Sequence, residues 1–330
     1  MNSCLKCALT VAVGLVSAIA TAQPPIDKGP EPTQITAPVV RAPGVTIEAS
    51  RRMRARGFQW DHEIRVALPP SYFKTHKSYP VLWVTDGSLF FDEAVSIAAQ
   101  YLELEVIVVG VGAPTEVPYD EFARRRIYDF TPTNKGPSFD GLGSEAAQQW
   151  ERDSKEKLGK QATGLQFVFG GGPEFLHFLV NEVRPTLAKE YRMSNEHILF
   201  GDSGGGIFCT YALLDDPTSF TGYICGSPAL NWGNRELFSK EEQYAKTHKD
   251  LQTRVFFGIG ESELLQNQPL RIASSTALMV EILRARNYPS LKLYARVFPG
   301  ETHGSVGPLN LSWGLRTVLQ DSRENEASKN

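Results

Sequence analysis

The segment Gly-Asp-Ser-Gly-Gly at positions 201–205 is the feature that most constrains the fold. An apolar run at 197–200 precedes it and predicts a buried strand, and the apolar residues at 206–214 predict a helix behind it. A serine between a strand and a helix lies in a sharp turn, which forms only if its neighbours are small. The glycines satisfy that condition, and the N-terminus of the helix brings partial positive charge to the turn. Ser203 is therefore a candidate nucleophile.

Strands and helices alternate along the rest of the chain. An alternation of polar and apolar residues at 63–68 predicts a half-buried antiparallel strand. Apolar runs that predict further strands lie at 79–85, 104–111, 220–226, 253–259 and 291–298. Helices are predicted at 88–102, 175–191, 269–287 and 313–319, and Pro185 is expected to kink or divide the second of them. This order predicts an α/β fold with a mostly parallel central sheet and helices on both faces.

The chain divides into four segments, the third of which contains an insertion. Residues 1–22 have the pattern of a secretory signal peptide, with an apolar stretch too short for a comfortable membrane span and Ala-Thr-Ala before the cleavage point. Residues 23–44 are rich in proline and predict a flexible lead-in. The folded domain is expected at 45–320 and a disordered tail at 321–330. Within the domain, residues 133–172 interrupt the alternation of strands and helices, and this segment is either a cap over the site or a surface insertion.

Composition and charge exclude several classes of function. The 330 residues are 42% hydrophobic with a formal net charge of -3, which gives no electrostatic reason to expect nucleic acid or an anionic membrane as partner. No stable membrane insertion is expected after signal cleavage, so we expect a secreted or periplasmic protein. Metal-binding and phosphate-binding motifs are missing from the sequence, which predicts no metal and no cofactor. Cys209 and Cys225 lie in apolar runs and are expected to be buried thiols, although a disulfide is possible.

A serine nucleophile needs a histidine to take its proton and an acid to orient that histidine. In α/β serine hydrolases the order along the chain is serine, acid, histidine. Two histidines follow Ser203: His248 in a polar stretch, and His303 in a loop directly after a predicted strand. We expect His303 to be the general base. Glu261 and Glu263 both follow the preceding strand, and spacing does not choose between them.

The developing oxyanion requires two backbone N–H donors. One is expected from Gly204, which follows the nucleophile, and the other from Ser88, in the loop after the strand at 79–85. Aromatic side chains suit aromatic acyl groups, and Trp232 is a candidate for this contact; a place in the core is the alternative.

Taken together, the motifs resemble the putative-esterase family of α/β-hydrolases, and within it the siderophore esterases of the enterobactin, salmochelin and bacillibactin type. The residues that carry the resemblance lie at 64–72, 79–87, 126–132, 175–179, 201–205 and 226–232. The resemblance spans about 46–312 and implies ester hydrolysis with Ser203 as nucleophile and His303 as base.

The same resemblance implies further roles. The family's acid stands three residues after a glycine, which favours Glu263, although in some siderophore esterases a Ser–His pair suffices. Arg126, in an Arg-x-x-Asp element, is implied to position an anionic or phenolic substrate; a structural ion pair with Asp129 is the alternative. Asp202 stands where the family more often has histidine or tyrosine, and the 133–172 segment is longer than usual, so both are expected to influence substrate choice.

The sequence thus predicts a serine esterase that acts on a small-molecule carboxylic ester through an acyl-enzyme. A siderophore ester, a feruloyl or acetyl sugar ester and a simple aryl ester are all candidate substrates. Acyl transfer by the same residues and a non-catalytic binding module on a hydrolase fold are the alternatives. The sequence does not indicate an oligomeric state.

Overall fold

A nine-stranded sheet runs through the centre of the computed structural model, which describes residues 44–100, 105–158, 166–265 and 270–327. In chain order the strands are β1 (Thr46–Ile47), β2 (Arg51–Met53), β3 (His62–Leu68), β4 (Tyr79–Thr85), β5 (Ile107–Gly112), β6 (Met193–Asp202), β7 (Gly222–Gly226), β8 (Arg254–Gly260) and β9 (Lys292–Phe298). The predicted signal peptide and nearly all of the predicted lead-in lie outside the described residues.

The sheet is mixed at one end and parallel elsewhere. Its order is β1-β3-β5-β4-β6-β7-β8-β9, with β2 also paired to β3. The pairs of β3 with β1, β2 and β5 are antiparallel, and every pair from β5 to β9 is parallel. The carboxyl ends of β4, β6, β7, β8 and β9 therefore meet at one edge of the sheet, where the candidate site residues follow the strands.

Helices follow most of the strands. They are α1 (Gly87–Gln100), α2 (Tyr119–Phe130), α3 (Ser144–Leu158), α4 (Gly172–His177), α5 (Arg184–Ala188), α6 (Gly204–Asp215), α7 (Trp232–Thr247), α8 (Ile272–Ala285) and α9 (Gly307–Ala327). A π-helical segment, Phe178–Val183, joins α4 to α5. It places Pro185 in the first turn of α5, where the missing N–H costs little, so helical structure continues through the proline.

Alternate residues of the strands pack on opposite faces of the sheet. Leu82 lies in a core that α1 and α9 complete, whereas its neighbour Trp83 lies in the core formed with α2 to α8. This alternation follows from the two-residue period of a strand. The prediction of a mostly parallel sheet covered by helices on both faces is confirmed.

Two local predictions differ from the structure. Cys209 on α6 and Cys225 on β7 form a disulfide with a Cα–Cα distance of 5.5 Å, because the packing of α6 against β7 brings the two side chains together. The predicted tail at 321–330 is helical as far as Ala327, since these residues contain neither glycine nor proline to end α9. No helix in the described part of the chain is both long and apolar enough to cross a membrane.

Candidate active site

Ser203 lies in a strained turn between β6 and α6. Its backbone has φ 58° and ψ -113°, a conformation that a residue with a side chain rarely adopts, and its N–H donates to the Gly226 carbonyl at 2.9 Å. A Cβ at Gly201 would lie 2.1 Å from the Gly205 carbonyl oxygen, so only glycine fits there. The turn holds the Ser203 hydroxyl at the carboxyl edge of the sheet, as the sequence pattern predicts.

The structure brings His303 to Ser203. His303 follows β9, and its Nε2 lies 3.0 Å from the Ser203 Oγ. Its Nδ1 hydrogen-bonds Oε1 of Glu263. All three side chains are buried, which strengthens the electrostatic interactions among them.

Glu263, and not Glu261, lies beside His303. Both residues belong to a 3₁₀ turn that follows β8. Oε2 of Glu263 accepts hydrogen bonds from Ser227 Oγ at 2.9 Å and from the Gly260 N–H at 2.7 Å, which leaves Oε1 for the histidine. The exposed Glu261 instead accepts from the Gly300 N–H at 2.7 Å. Ser227 was not anticipated, and no local sequence signal identifies it.

Ser88 and Gly204 occupy equivalent places in the fold. Gly204 is the first residue of α6 and Ser88 the second of α1, and first-turn N–H groups have no acceptor within their own helix. The two helices follow β6 and β4, which are adjacent parallel strands. Both amides are therefore presented at the same edge of the sheet as Ser203.

Arg126 is fixed beside the nucleophile turn. Its Nε lies 2.9 and 2.8 Å from the two carboxylate oxygens of Asp86, and its Nη2 donates to the Asp202 carbonyl at 3.2 Å. Its Nη1 lies against Gly204, since a Cβ there would be 2.9 Å away. Burial raises the pKa of Asp86, and the Arg126 charge opposes that rise.

The alternative of an Arg126–Asp129 ion pair is wrong. Asp129 hydrogen-bonds Nε2 of His62 at 2.9 Å, in a buried pair surrounded by phenylalanine rings. His62 comes from β3, whereas Asp86, the partner of Arg126, follows β4. Although both belong to α2, Arg126 and Asp129 therefore contact residues at the ends of two different strands of the sheet.

Asp202 is buried behind the cleft and interacts with α9. Its Oδ1 accepts a hydrogen bond from Asn310 Nδ2 at 2.9 Å. Burial raises the pKa of the Asp202 carboxyl, and the nearby His303 and the Asn310 hydrogen bond oppose that rise. Asp202 thus contacts α9 through its carboxylate and also borders the cleft, and its contact with substrate stays a prediction.

A cleft of about 250 Å³ opens beside Ser203 and His303. Its buried lining combines aromatic and aliphatic side chains, and it includes the predicted Trp232 together with Phe130 and Ile207. Leu89 and Tyr119, which also line it, are exposed and mark its open end. The 133–172 segment contributes three residues, which sequence reasoning missed: Trp150, Ser154 and Phe167. The signal for Trp150 was present, because it is the one aromatic residue in a helix of mainly charged and amide residues.

Known proteins match both the sequence and the fold. The family model described as "Putative esterase" matches residues 140–305, about half of the chain. The ferri-bacillibactin esterase BesA of Bacillus subtilis is 26% identical over 84% of this chain and 90% of its own length. The siderophore triacetylfusarinine C esterase of Aspergillus fumigatus is 25% identical over 73% and 82%. The solved siderophore hydrolase EstA of Aspergillus nidulans superposes with a TM-score of 0.68 at 22% identity, over 90% of this chain and all (100%) of its own.

The family match agrees with the strand–serine–helix turn and with the order of serine, acid and histidine along the chain. The α/β architecture agrees with that of the superposed hydrolase. The chain belongs to the putative-esterase family of serine hydrolases, whose members act on carboxylic ester bonds.

Proposed function

We propose that Ser203 is the nucleophile, His303 the general base and Glu263 the acid that orients the histidine. The observation that carries this assignment is the continuous hydrogen-bonded line from Ser203 Oγ through both ring nitrogens of His303 to Glu263. Ser203 Oγ attacks the ester carbonyl carbon while Nε2 of His303 takes its proton. The proton then passes to the departing alcohol, and water releases the acyl group by the same route.

In this mechanism the amides of Gly204 and Ser88 stabilise the negative oxygen of the tetrahedral intermediate. Arg126 adds a fixed positive charge at the same place. Because Asp86 and the Asp202 carbonyl hold the rest of its guanidinium, Nη1 remains beside Gly204. We assign to it the binding of an anionic or phenolic oxygen of the substrate, since a guanidinium held by neighbours binds such groups without a large loss of entropy.

The substrate class that we propose is the siderophore ester. Two relatives with this activity in their names match the chain along most of their length. The aromatic lining of the cleft and the adjacent Arg126 suit an aromatic, oxygen-bearing group.

Hydrolysis of bacillibactin and of triacetylfusarinine C, each with and without iron, tests this proposal. Mass spectrometry should show the gain of one water for each ester cleaved. In Ser203→Ala and in His303→Ala, turnover should fall until the remaining rate is only about 10³–10⁴-fold above that of uncatalysed hydrolysis in water. Near-full activity of either variant would refute the assignment of the residues. Hydrolysis of aryl esters without any cleavage of siderophores would refute the substrate class alone.

A fluorophosphonate probe tests the nucleophile without a choice of substrate. A single adduct on Ser203 that disappears in His303→Ala is expected, because the probe reacts with an activated hydroxyl. Labelling at another residue would contradict the assignment.

We also propose that the protein acts outside the cytoplasm. The Cys209–Cys225 disulfide supports this location, because such bonds persist in oxidising compartments. The full chain expressed in a Gram-negative host should be recovered from the periplasm or medium with Gln23 at its N-terminus. Recovery from the cytoplasm with residues 1–22 intact would contradict the proposal.

A further inference from the structure

Trp150 differs in burial from the other residues of its helix. Among the described side chains of α3, at 144–156, it is the only buried one, with 4% of its surface exposed. The remainder of this helix is rich in charged and amide residues that face solvent. The buried side chain lines the same cleft as Ser203 and His303, so the 133–172 segment forms part of the candidate active site.

Aromatic contacts fix the Trp150 ring against the cleft wall. Its indole packs edge-to-face on Trp232, with ring centroids 5.0 Å apart and an interplanar angle of 77°. Phe167 lies 5.9 Å from it, and Phe169 and Phe139 contact the Trp232 ring at 5.6 and 6.0 Å. Because these rings hold one another, Trp150 has little freedom to swing away when a larger group enters.

A strained turn attaches the segment to the rest of the protein. Gly233, Asn234 and Arg235, which follow Trp232 directly, all have left-handed backbone conformations, with φ between 53° and 61°. Such strain persists only where the surroundings fix it. Here the Asn234 N–H donates to the Ser138 carbonyl at 2.9 Å, and Arg235 Nε lies 3.2 Å from the Asp140 carboxylate.

A third contact lies next to the turn, where Thr133 Oγ1 donates to Glu236 at 2.6 Å. The turn therefore fixes the orientation of Trp232 and also forms the contacts that hold the 133–172 segment in place. Trp150 and Trp232 consequently form a single wall at the buried end of the cleft.

We propose that Trp150 is a specificity-determining residue, which sets the size of the substrate group admitted to the buried end of the cleft. This inference rests on the proposed function only in that the reaction is ester hydrolysis at Ser203; it does not require a siderophore. A rigid ring at the end of a cleft of about 250 Å³ excludes groups that would overlap it. Removal of the ring extends the cleft and favours bulky groups over small ones.

Two series of activated esters measure this effect in the full-length protein. In one series the leaving group is always p-nitrophenol and the acyl group grows from acetyl to benzoyl to naphthoyl. In the other the acyl group is always acetyl and the aryl alcohol grows from phenol to naphthol. Trp150→Ala should raise the ratio of kcat/KM for the bulkiest ester to that for the smallest by about tenfold or more in at least one series, with Trp150→Phe intermediate.

Trp60→Phe is the matched control. Trp60 is also buried, at 8% exposure, and also packs edge-to-face on aromatic rings, but it does not line the cleft. Neither its indole N–H nor that of Trp150 has a hydrogen-bond partner among the described residues. The control should leave the ratio unchanged, so a shift confined to the Trp150 variants reflects the cleft and not the loss of a buried indole.

An unchanged ratio in both series, in Trp150 variants that still label at Ser203, would overturn the inference. If Trp150→Ala does not fold, Trp150→Phe decides, because the smaller ring must still shift the ratio toward bulky groups. A wild-type protein that cleaves these esters but no siderophore would refute the proposed substrate class and leave the role of Trp150 intact. A wild type without any Ser203 adduct would instead refute the catalytic assignment.

Discussion

Replacement of Glu263 by glutamine tests the role of the acid in the candidate triad. Oε2 of the carboxylate accepts hydrogen bonds from Ser227 Oγ and the Gly260 N–H, and Oε1 accepts from Nδ1 of His303. A glutamine has one oxygen and one NH₂ group in these places. The oxygen stays on the Ser227 and Gly260 side, since an NH₂ there would leave the Gly260 N–H without an acceptor and facing another donor.

The amide nitrogen of the glutamine then faces His303 and donates to Nδ1. This forces the ring proton onto Nε2, which lies 3.0 Å from Ser203 Oγ and must accept the serine proton during the reaction. The histidine is held in the wrong tautomer, and an analogous exchange in a serine protease lowers kcat about 10⁴-fold. For Glu263→Gln we expect a loss of about 10³–10⁴ in kcat, or roughly 4–5.5 kcal/mol at about 1.36 kcal/mol per tenfold.

The assay is steady-state hydrolysis of an aryl acetate, with the rate of fluorophosphonate labelling as a second readout. Glu261→Gln supplies the control, because that exposed side chain can keep its bond to the Gly300 N–H through the amide oxygen. Its activity should stay within about twofold of wild type, as expected for a surface substitution. If Glu263→Gln retains more than about a tenth of wild-type kcat, less than 1.4 kcal/mol has been lost and the tautomer argument is wrong. A Ser203–His303 pair would then suffice.

Two further predictions concern stability. Burial raises the pKa of Asp202 in the folded state above 3.8, its ordinary value, so the folded state binds this proton more readily than the unfolded state. The free energy of unfolding therefore falls as pH rises from 3.8 through the folded-state pKa. Asp202→Asn can keep the Asn310 hydrogen bond, so it should raise Tm at neutral pH but not below 3.8; equal shifts at both would contradict this sign. The Cys209–Cys225 bond spans 16 residues, and the double alanine variant should lose about 3 kcal/mol of unfolding free energy in urea titration, whereas an unchanged midpoint would refute it.

Much of the fold followed from local sequence patterns. The nucleophile turn was predictable because its steric demand for glycine falls on residues adjacent to Ser203, and the structure shows contacts that leave no room for a Cβ. The alternation of strands and helices was equally local, since the period of apolar residues reflects which face each element buries. With the order of strands known, His303 could be placed in the loop after β9.

Only the tertiary structure decided the choices between neighbouring or distant side chains. Glu261 and Glu263 are two residues apart in one turn, and the direction of each side chain selects which contacts His303. Arg126 binds Asp86, 40 residues away along the chain, and not Asp129 on its own helix, because the packing of α2 against the sheet sets the rotation of the helix.

The disulfide and the cleft wall depend on the same kind of long-range packing. Cys209 and Cys225 approach each other only once α6 lies against β7. Trp150 joins Trp232 at the cleft across more than 80 residues of chain. The sequence determined which elements form and in what order, because those depend on near neighbours. The partners of each charged, aromatic and sulfur-bearing side chain depend on how the elements pack. The shape of the site depends on the same packing, so only the tertiary structure decided it.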